Sequence, residues 1–295
     1  MNEHPMDNFP VRQLRFDVAQ LDDEDLVWSR TSPEFSMFLN ALGLHVPYFE
    51  RFLVGVMRAY RDEIQDPKLK QELQAIIGQE AHHAFNFIKL NQRLAGKYPG
   101  ISALDANAKQ HFEDLLARKS KKFQIGLTAG YETFTFLAGA IILERYDELM
   151  ADAEPTLRSL WLWHQVEEVE HGAVAFDFYK AFYAEHEWYR RYMVFYAFLH
   201  IAKETTLAFR EITKGERSGF RGKLKAWKFC LGFTWDLFRN SLPVYSRSYH
   251  PRTHPICNNE QSPVAVAWRR FDAAGNDPHA LTNEDMHTMM EYQRT

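Results

Sequence analysis

The segment WLWHQVEEVEHGAVAFDFY, from Trp161 to Tyr179, sets three glutamates and two histidines within eight residues, between apolar stretches. On a helix, with about 100° of rotation per residue, His164, Glu168 and His171 share one face with apolar side chains. An unpaired buried carboxylate is costly, so this face needs a cationic partner or a metal ion. The chain must therefore adopt a fold that buries these charges in a compensated form.

The spacing of Glu168 and His171 occurs a second time in an apolar frame. Glu80 and His83 lie three residues apart in the segment GQEAHHAFNF. An ExxH match is weak evidence by itself, because a chain with this many Glu and His residues gives about one match by chance. A third match, Glu284 with His287, lacks the apolar frame, and we interpret it as the chance one.

A glutamate inside an apolar segment precedes each framed pair. Glu50 comes 30 residues before Glu80, and Glu132 comes 36 residues before Glu168. Each interval suits a helix, a short loop and the return of an antiparallel neighbour. The chain thus contains an internal repeat, in which a helix with one glutamate is followed by an antiparallel helix with an ExxH pair. This repeat predicts that four glutamates and two histidines meet inside one helical bundle.

Patterns of helical period dominate the whole chain, and no convincing set of alternating strands is found. The sequence therefore predicts an all-α fold, with helices that begin near Pro33, Pro47, Pro67 and Pro155. We expect an N-terminal segment (1–31), a metal-binding bundle (32–185) and a helical C-terminal extension (186–295), all within one domain.

These residues carry a resemblance to known families. The E, ExxH, E, ExxH pattern resembles the ferritin-like di-iron carboxylate proteins. The segments QEAHHAFN, WHQVEEVEHGAVAFDFY and SYHPRTHP resemble a bacterial family described as predicted metal-dependent hydrolases, over about Leu39 to His254. The resemblance implies a ferritin-like four-helix bundle with additional C-terminal helices.

The resemblance also implies two metal ions per chain, each with one terminal glutamate and one histidine, and two glutamates that bridge them. The terminal ligands are Glu50 with His83 and Glu132 with His171, and the bridges are Glu80 and Glu168. Carboxylate and imidazole ligands without thiolate suit iron best, and manganese and zinc are also compatible. Four carboxylates balance the charge of two divalent ions.

Neighbouring residues leave alternatives open. Glu167 also reaches the side of the helix that carries His171. Glu168 is preferred as the metal ligand because its spacing to His171 matches that of Glu80 and His83. His164 lies one turn before Glu168 and is a further ligand, a hydrogen-bond donor to a ligand or a core histidine. We expect Glu170 to be solvated, as acidic residues outside a metal-binding face usually are.

Two further expectations concern the partners of the acidic groups. His82 points away from His83 and is predicted to lie at the surface or in an interface. No Lys or Arg shares the four acidic helix faces, so an arrangement of buried ion pairs without metal lacks cationic partners.

The function predicted from these residues is an oxygen-activating di-iron oxidase or oxygenase acting on an apolar or aromatic small molecule, with an electron-donor protein as a partner. Thr128 and Thr135, one turn either side of Glu132, are candidates to line its pocket. The alternative is a metal-dependent hydrolase in which two metals activate a water molecule. A non-catalytic iron-binding or redox-sensing protein is a further alternative.

The C-terminal extension is expected to shape the substrate pocket. A helix from Phe220 to Asn240 presents one apolar face, made of Leu224, Trp227, Leu231, Trp235 and Phe238. We expect this face to pack on the bundle, with interfacial membrane contact as the alternative. The prolines around His250 and His254 exclude a helical metal pair there, and a loop that caps the site is expected.

Composition and charge bear on nucleic-acid binding, on the state of the cysteines and on cellular location. A net charge of −4, without long runs of one sign, gives no support to nucleic-acid binding. Cys230 and Cys257 are predicted to be free thiols in a reducing compartment. The N-terminus has no secretory pattern, and the longest strongly apolar stretch, 192–202, is too short to span a bilayer. We therefore expect a cytoplasmic protein, compatible with a homodimer.

Overall fold

The computed structural model describes Met6 and residues 9–216, 218–256 and 262–291, and in this part of the chain the only extended pairing is an isolated bridge between Ser29 and Ala153. The all-α prediction is confirmed for these residues. The α-helices are α1 (Pro33–Gly43), α2 (Val46–Tyr60), α3 (Pro67–Lys97), α4 (Pro99–Arg118), α5 (Lys121–Glu144), α6 (Tyr146–Leu149), α7 (Pro155–Tyr183), α8 (Glu187–Gly215), α9 (Phe220–Ser241), α10 (Pro263–Ala273) and α11 (Asn283–Glu291).

Proline and side-chain caps set several helix starts. The Asp66 carboxylate accepts a hydrogen bond from the backbone N–H of Lys68 at 2.9 Å, and Pro67 follows as the first residue of α3. The Glu154 carboxylate does the same for Leu157 at 2.7 Å at the start of α7. These caps satisfy backbone donors that have no partner inside the helix.

The four helices that carry the acidic residues pack around one another. Helix α2 packs on α3, α5 packs on α7, and contacts between α3 and α7 and between α2 and α5 join the two pairs. Helix α4 covers α2 and α3, while α8 and α9 pack against α1 and α5. The more specific ferritin-like four-helix bundle stays a prediction, as does the division at residues 31 and 185.

Helix α5 lies in the middle of this packing and approaches its neighbours closely at glycines. A Cβ atom on Gly139 would lie 2.9 Å from the backbone oxygen of Gln165 in α7. A Cβ atom on Gly130 would lie 2.6 Å from the backbone oxygen of Met193 in α8. Side chains at these positions would force the helices apart.

Helix α5 is also long and apolar enough to cross a membrane by length and composition, and 83% of its apolar window is buried. The sequence prediction overlooked it in favour of the shorter stretch 192–202. Central helices of soluble proteins pass the same test, so this result is weak evidence for a membrane span. The cytoplasmic location stays a prediction.

The prediction for the apolar face of α9 was wrong. Leu224, Leu231 and Trp235 are 60%, 65% and 60% exposed, whereas Trp227 and Phe238 are half-buried. The helix packs through its other side, whose buried residues are Ala226, Cys230, Phe233, Leu237 and Ser241. On that side the Phe233 ring contacts Phe38 of α1, with 4.7 Å between the ring centroids. Cys230 is a free thiol, and Cys257 lies outside the described residues.

Candidate metal centre

The structure brings all six predicted ligands into one buried cluster. Each is at most 1% exposed. They come from four helices: Glu50 from α2, Glu80 and His83 from α3, Glu132 from α5, and Glu168 and His171 from α7. Full burial of four carboxylates requires compensating positive charge in the same place.

The ligand atoms fall into two sets, in each of which all atoms lie within 4.8 Å of one another. One set consists of Glu50, His83, His164 and Glu168, and the other of Glu80, Glu132, Glu168 and His171. Each set is compact enough to surround one metal ion. Because Glu168 belongs to both sets, the two ion positions are adjacent.

Two carboxylates lie between the two predicted histidine ligands. For Glu80, Oε2 is 3.2 Å from His83 Nδ1 and Oε1 is 3.0 Å from His171 Nδ1. For Glu168, Oε1 is 3.5 Å from His83 Nδ1 and Oε2 is 3.9 Å from His171 Nδ1. Each of these glutamates therefore turns one oxygen toward each imidazole.

His164 faces the cluster. Its Nε2 atom is 3.2 Å from Oε1 of Glu50 and 3.1 Å from Oε1 of Glu168. Its Nδ1 atom is 3.0 Å from the side-chain nitrogen of Gln165. This position places His164 among the acidic oxygens and makes it a third imidazole of the centre.

Several acidic oxygens in the cluster have no hydrogen-bond partner among the described residues. They are Oε2 of Glu50, both oxygens of Glu132 and Oε2 of Glu168. Buried polar atoms without partners are rare in proteins and call for a specific explanation. Unpaired carboxylate oxygens beside imidazoles match the ligand preference of Fe, Mn or Zn ions, so the residues fit metal ions of this class.

The pKa values show how strongly the cluster attracts positive charge. Burial, helped by the neighbouring carboxylates, raises the pKa of Glu132 well above its usual value and that of Glu50 to about 7. Burial opposes protonation of His83, but the surrounding carboxylates outweigh it and raise its pKa well above the usual value. Protons and metal ions therefore compete for the same positions.

Each predicted histidine ligand is oriented from the opposite helix. The Nε2 atom of His83 in α3 is 2.8 Å from Oε2 of Glu167 in α7. The Nε2 atom of His171 in α7 is 2.7 Å from Oε1 of Gln79 in α3. When each Nε2–H donates to its acceptor, each Nδ1 presents a lone pair to the cluster, as metal-binding histidines require.

Arg12, from the N-terminal segment, holds this outer layer together. It donates to Glu167 at 2.9 Å and to Glu170 at 3.2 Å. Gln79 donates to Glu170 at 3.0 Å, and Arg269 of α10 donates to the other oxygen of Glu170 at 2.9 Å. Two buried glutamates thus have cationic partners, whereas the four carboxylates of the centre have only histidines.

The expectation that Glu170 is solvated was wrong, because its side chain is 1% exposed. The expectation that the buried acidic groups lack cationic partners considered only residues on the helix faces. It therefore missed Arg12, which approaches from outside the helices. A sequence signal for the outer layer does exist. Gln79 and Glu167 each stand immediately before the glutamate of an ExxH pair.

An apolar cavity adjoins His164. Its lining includes Phe134, Thr135, Trp161, Gln165, Ile201 and Leu237. Thr135 lines this cavity, and its role in binding a substrate stays a prediction. Thr128 does not line this cavity, and its hydroxyl is buried without a hydrogen-bond partner.

The histidines of the HPRTHP segment and of the third ExxH match lie away from the cluster. His250 is 3.2 Å from Asp177 of α7, and His254 is 2.9 Å from the backbone oxygen of Asn240. Their loop ties α7 to the end of α9, and a capping role stays a prediction. His287 is 45% exposed and pairs with Asp147 at 3.4 Å, outside the cluster, as expected for the third ExxH match. His82 is half-buried.

A family model described as "Predicted metal-dependent hydrolase" matches residues 10–256. This range contains every residue of the buried cluster. No curated protein and no solved structure matches the chain. The family description favours hydrolysis over the oxygen-activating chemistry predicted first. The chain belongs to the family of predicted metal-dependent hydrolases.

Proposed function

We propose that the chain is a hydrolase that uses two metal ions held in the buried cluster. The observation that carries this proposal is the group of carboxylate oxygens that are buried beside three imidazoles without hydrogen-bond partners. Membership of the family supports the reaction type.

Glu50, His83 and His164 would hold one ion and Glu132 and His171 the other, and Glu80 and Glu168 would be available to both. The distances from Nε2 of His164 to two acidic oxygens support its inclusion as a ligand. A divalent ion in such a site lowers the pKa of water and polarises a carbonyl oxygen. Zinc, manganese and iron are all compatible with this ligand type.

The protein's own residues position the site and the substrate. Glu167 and Gln79 fix the two imidazoles through their Nε2 atoms. Arg12 fixes Glu167, so the N-terminal segment takes part in building the centre. The apolar cavity next to His164 binds the apolar part of the substrate and excludes bulk water from it.

The lining of the cavity favours a carboxylic ester with an apolar group as the substrate class. Lys and Arg are missing from the described residues that line it, so its lining lacks the permanently charged side chains that usually bind a phosphate. Apolar walls with few polar groups are typical of pockets for apolar small molecules.

An oxygen-activating di-iron oxidase is the second candidate. It is favoured by the carboxylate-rich second set, in which three glutamates accompany one histidine. Such ligand sets suit iron. This function requires an electron donor and receives no support from the family description.

Reconstitution of the metal-free protein with Zn²⁺, Mn²⁺ or Fe²⁺ separates the two functions. We expect hydrolysis of p-nitrophenyl esters that depends on added metal and falls at least about 100-fold in Glu168→Gln. Glu113→Gln, an exposed change on α4, is the matched control. The proposal is wrong if no metal form hydrolyses esters while the iron form shows a near-ultraviolet absorbance that bleaches on reduction and returns with air.

A further inference from the structure

Helix α9 has a second apolar face that packs on nothing in the described structure. Phe220, Leu224, Leu231 and Trp235, here called the α9 stripe, are 82%, 60%, 65% and 60% exposed. They recur at intervals of four, seven and four residues, so they lie along one side of the helix, away from its buried side. Contiguous exposed apolar patches commonly mark interaction surfaces.

Basic side chains flank the α9 stripe. The helix contains five of them: Arg221, Lys223, Lys225, Lys228 and Arg239. Lys225 pairs with Glu34 of α1 at 2.5 Å and Arg239 with Asp236 at 3.6 Å, so Arg221, Lys223 and Lys228 carry the argument for the basic border. The one acidic residue of α9 is Asp236, although the whole chain has a net charge of −4. A helix with a bulky apolar stripe bordered by Lys and Arg is the pattern of segments that lie in the interface of an anionic membrane.

Helix α8 adds exposed aromatic residues beside α9. Trp188, Tyr192 and Phe195 are 77%, 56% and 45% exposed and recur every three or four residues. The two helices pack together, as the 5.5 Å distance between the Phe198 and Phe238 ring centroids shows. Trp and Tyr side chains are enriched where proteins meet the boundary between lipid and water.

We propose that the α9 stripe and its basic border dock the protein onto an anionic lipid surface. A second copy of the chain fits this face less well. In a twofold interface the same patch meets itself, so the basic borders of two α9 helices would face each other. Like charges brought together in this way oppose association, whereas anionic lipid headgroups complement them.

The docked face lies on the same two helices as the wall of the apolar cavity. Ile201 of α8 and Leu237 of α9 line the cavity that reaches His164. If the centre hydrolyses esters, this arrangement selects a lipid-like ester that partitions into the membrane. That substrate class rests on the proposed function, whereas docking itself does not.

Vesicle co-sedimentation tests docking without any enzymatic readout. The full-length protein is mixed with phosphatidylcholine vesicles that contain or lack phosphatidylglycerol. We expect binding only to the anionic vesicles and a loss of at least about tenfold in affinity in Leu231→Ser with Trp235→Ser. Phe85→Ser with Leu116→Ser, which removes two exposed apolar residues elsewhere, is the control and keeps wild-type binding.

Two double variants that remove positive charges test the role of the basic border. Arg221→Gln with Lys228→Gln should lower the affinity for anionic vesicles by about tenfold or more, whereas Lys70→Gln with Lys109→Gln, on other helices, should change it far less. Equal effects of the two pairs would contradict docking by α9. Docking is also wrong if wild-type protein binds neither vesicle, or if it is a dimer that Leu231→Ser with Trp235→Ser converts into monomers.

Discussion

At the scale of single residues, the centre depends on side chains that touch its histidines from outside. Glu167 and Gln79 are related by the internal repeat, and each accepts a hydrogen bond across the boundary between α3 and α7. Such partners fix the orientation and basicity of ligand histidines, and their loss typically weakens metal binding 10- to 100-fold. Because each half of the internal repeat supplies the acceptor for the histidine of the other half, the two proposed ion positions are linked.

Glu167→Gln should therefore weaken metal binding by about 10- to 100-fold, because the acceptor of the His83 Nε2–H loses its charge. Titration of the metal-free variant with Zn²⁺ against a competing chelator measures this. Glu113→Gln, which alters an exposed carboxylate on α4, is the control. Unchanged affinity in Glu167→Gln would show that His83 is not a ligand.

Glu50 gives the metal-free protein a characteristic pH dependence. Its folded pKa of about 7 lies above the usual carboxyl value, so its proton stabilises the fold at low pH. This contribution is lost as the pH rises through about 7, because the buried carboxylate then ionises. Thermal unfolding from about pH 5 to about pH 8 should show falling stability, and Glu50→Gln should flatten the slope.

Added metal should reverse this trend, since metal ions bind the deprotonated carboxylate and stabilise the folded state by mass action. The stabilisation by Zn²⁺ should therefore grow between about pH 6 and about pH 8. A pH slope that is the same in the wild type and in Glu50→Gln would contradict the raised pKa.

Much of the centre could be predicted from residue types and spacing. The six candidate ligands follow from two ExxH pairs and two glutamates in apolar segments. Arg12 could not be found in this way, because its position depends on how an irregular N-terminal segment folds over α7. Glu170 was misplaced for the same reason, since its cationic partners come from two distant parts of the chain.

At the scale of elements, the close approach of α5 and α7 sets the distance between Glu132 and Glu168. Gly139 permits this approach, because a Cβ atom there would meet the backbone of α7. The other side of α5 meets α8 in the same way at Gly130. Backbone atoms in packed helices yield less readily than flexible side chains.

Gly139→Ala should lower the free energy of unfolding by about 1–3 kcal/mol, because an overpacked helix interface shifts backbone. Gly232→Ala is the control. Its position is helical and open, so this change should raise the free energy of unfolding by up to about 1 kcal/mol. Urea unfolding of both variants measures the difference. A neutral Gly139→Ala would mean that α5 and α7 do not pack this closely.

Helix boundaries were predictable because prolines and caps mark them locally, as at Pro67 and Pro155. The packing face of α9 was not predictable. Both of its sides are apolar, and periodicity alone does not decide which side meets α1. The choice depends on how rings such as Phe233 fit those of another helix, which is a tertiary property.

At the scale of the whole molecule, the charge buried at the centre would couple metal binding to folding. Four carboxylates and three histidines from α2, α3, α5 and α7 meet there, so cations at this point tie all four helices together. The N-terminal segment joins the same network through Arg12, and α10 joins it through Arg269. Removal of metal should therefore lower the stability of the packing of all four helices rather than affect one loop.

We propose that one chain binds two metal ions in the two ligand sets that share Glu168. The metal content of the wild type and of Glu168→Gln, measured by elemental analysis after reconstitution and removal of loosely bound ions, tests this. We expect about two ions per wild-type chain and a loss at both positions in the variant, since both ligand sets contain Glu168. A wild-type chain that retains no metal, or a variant that retains both ions, would contradict it.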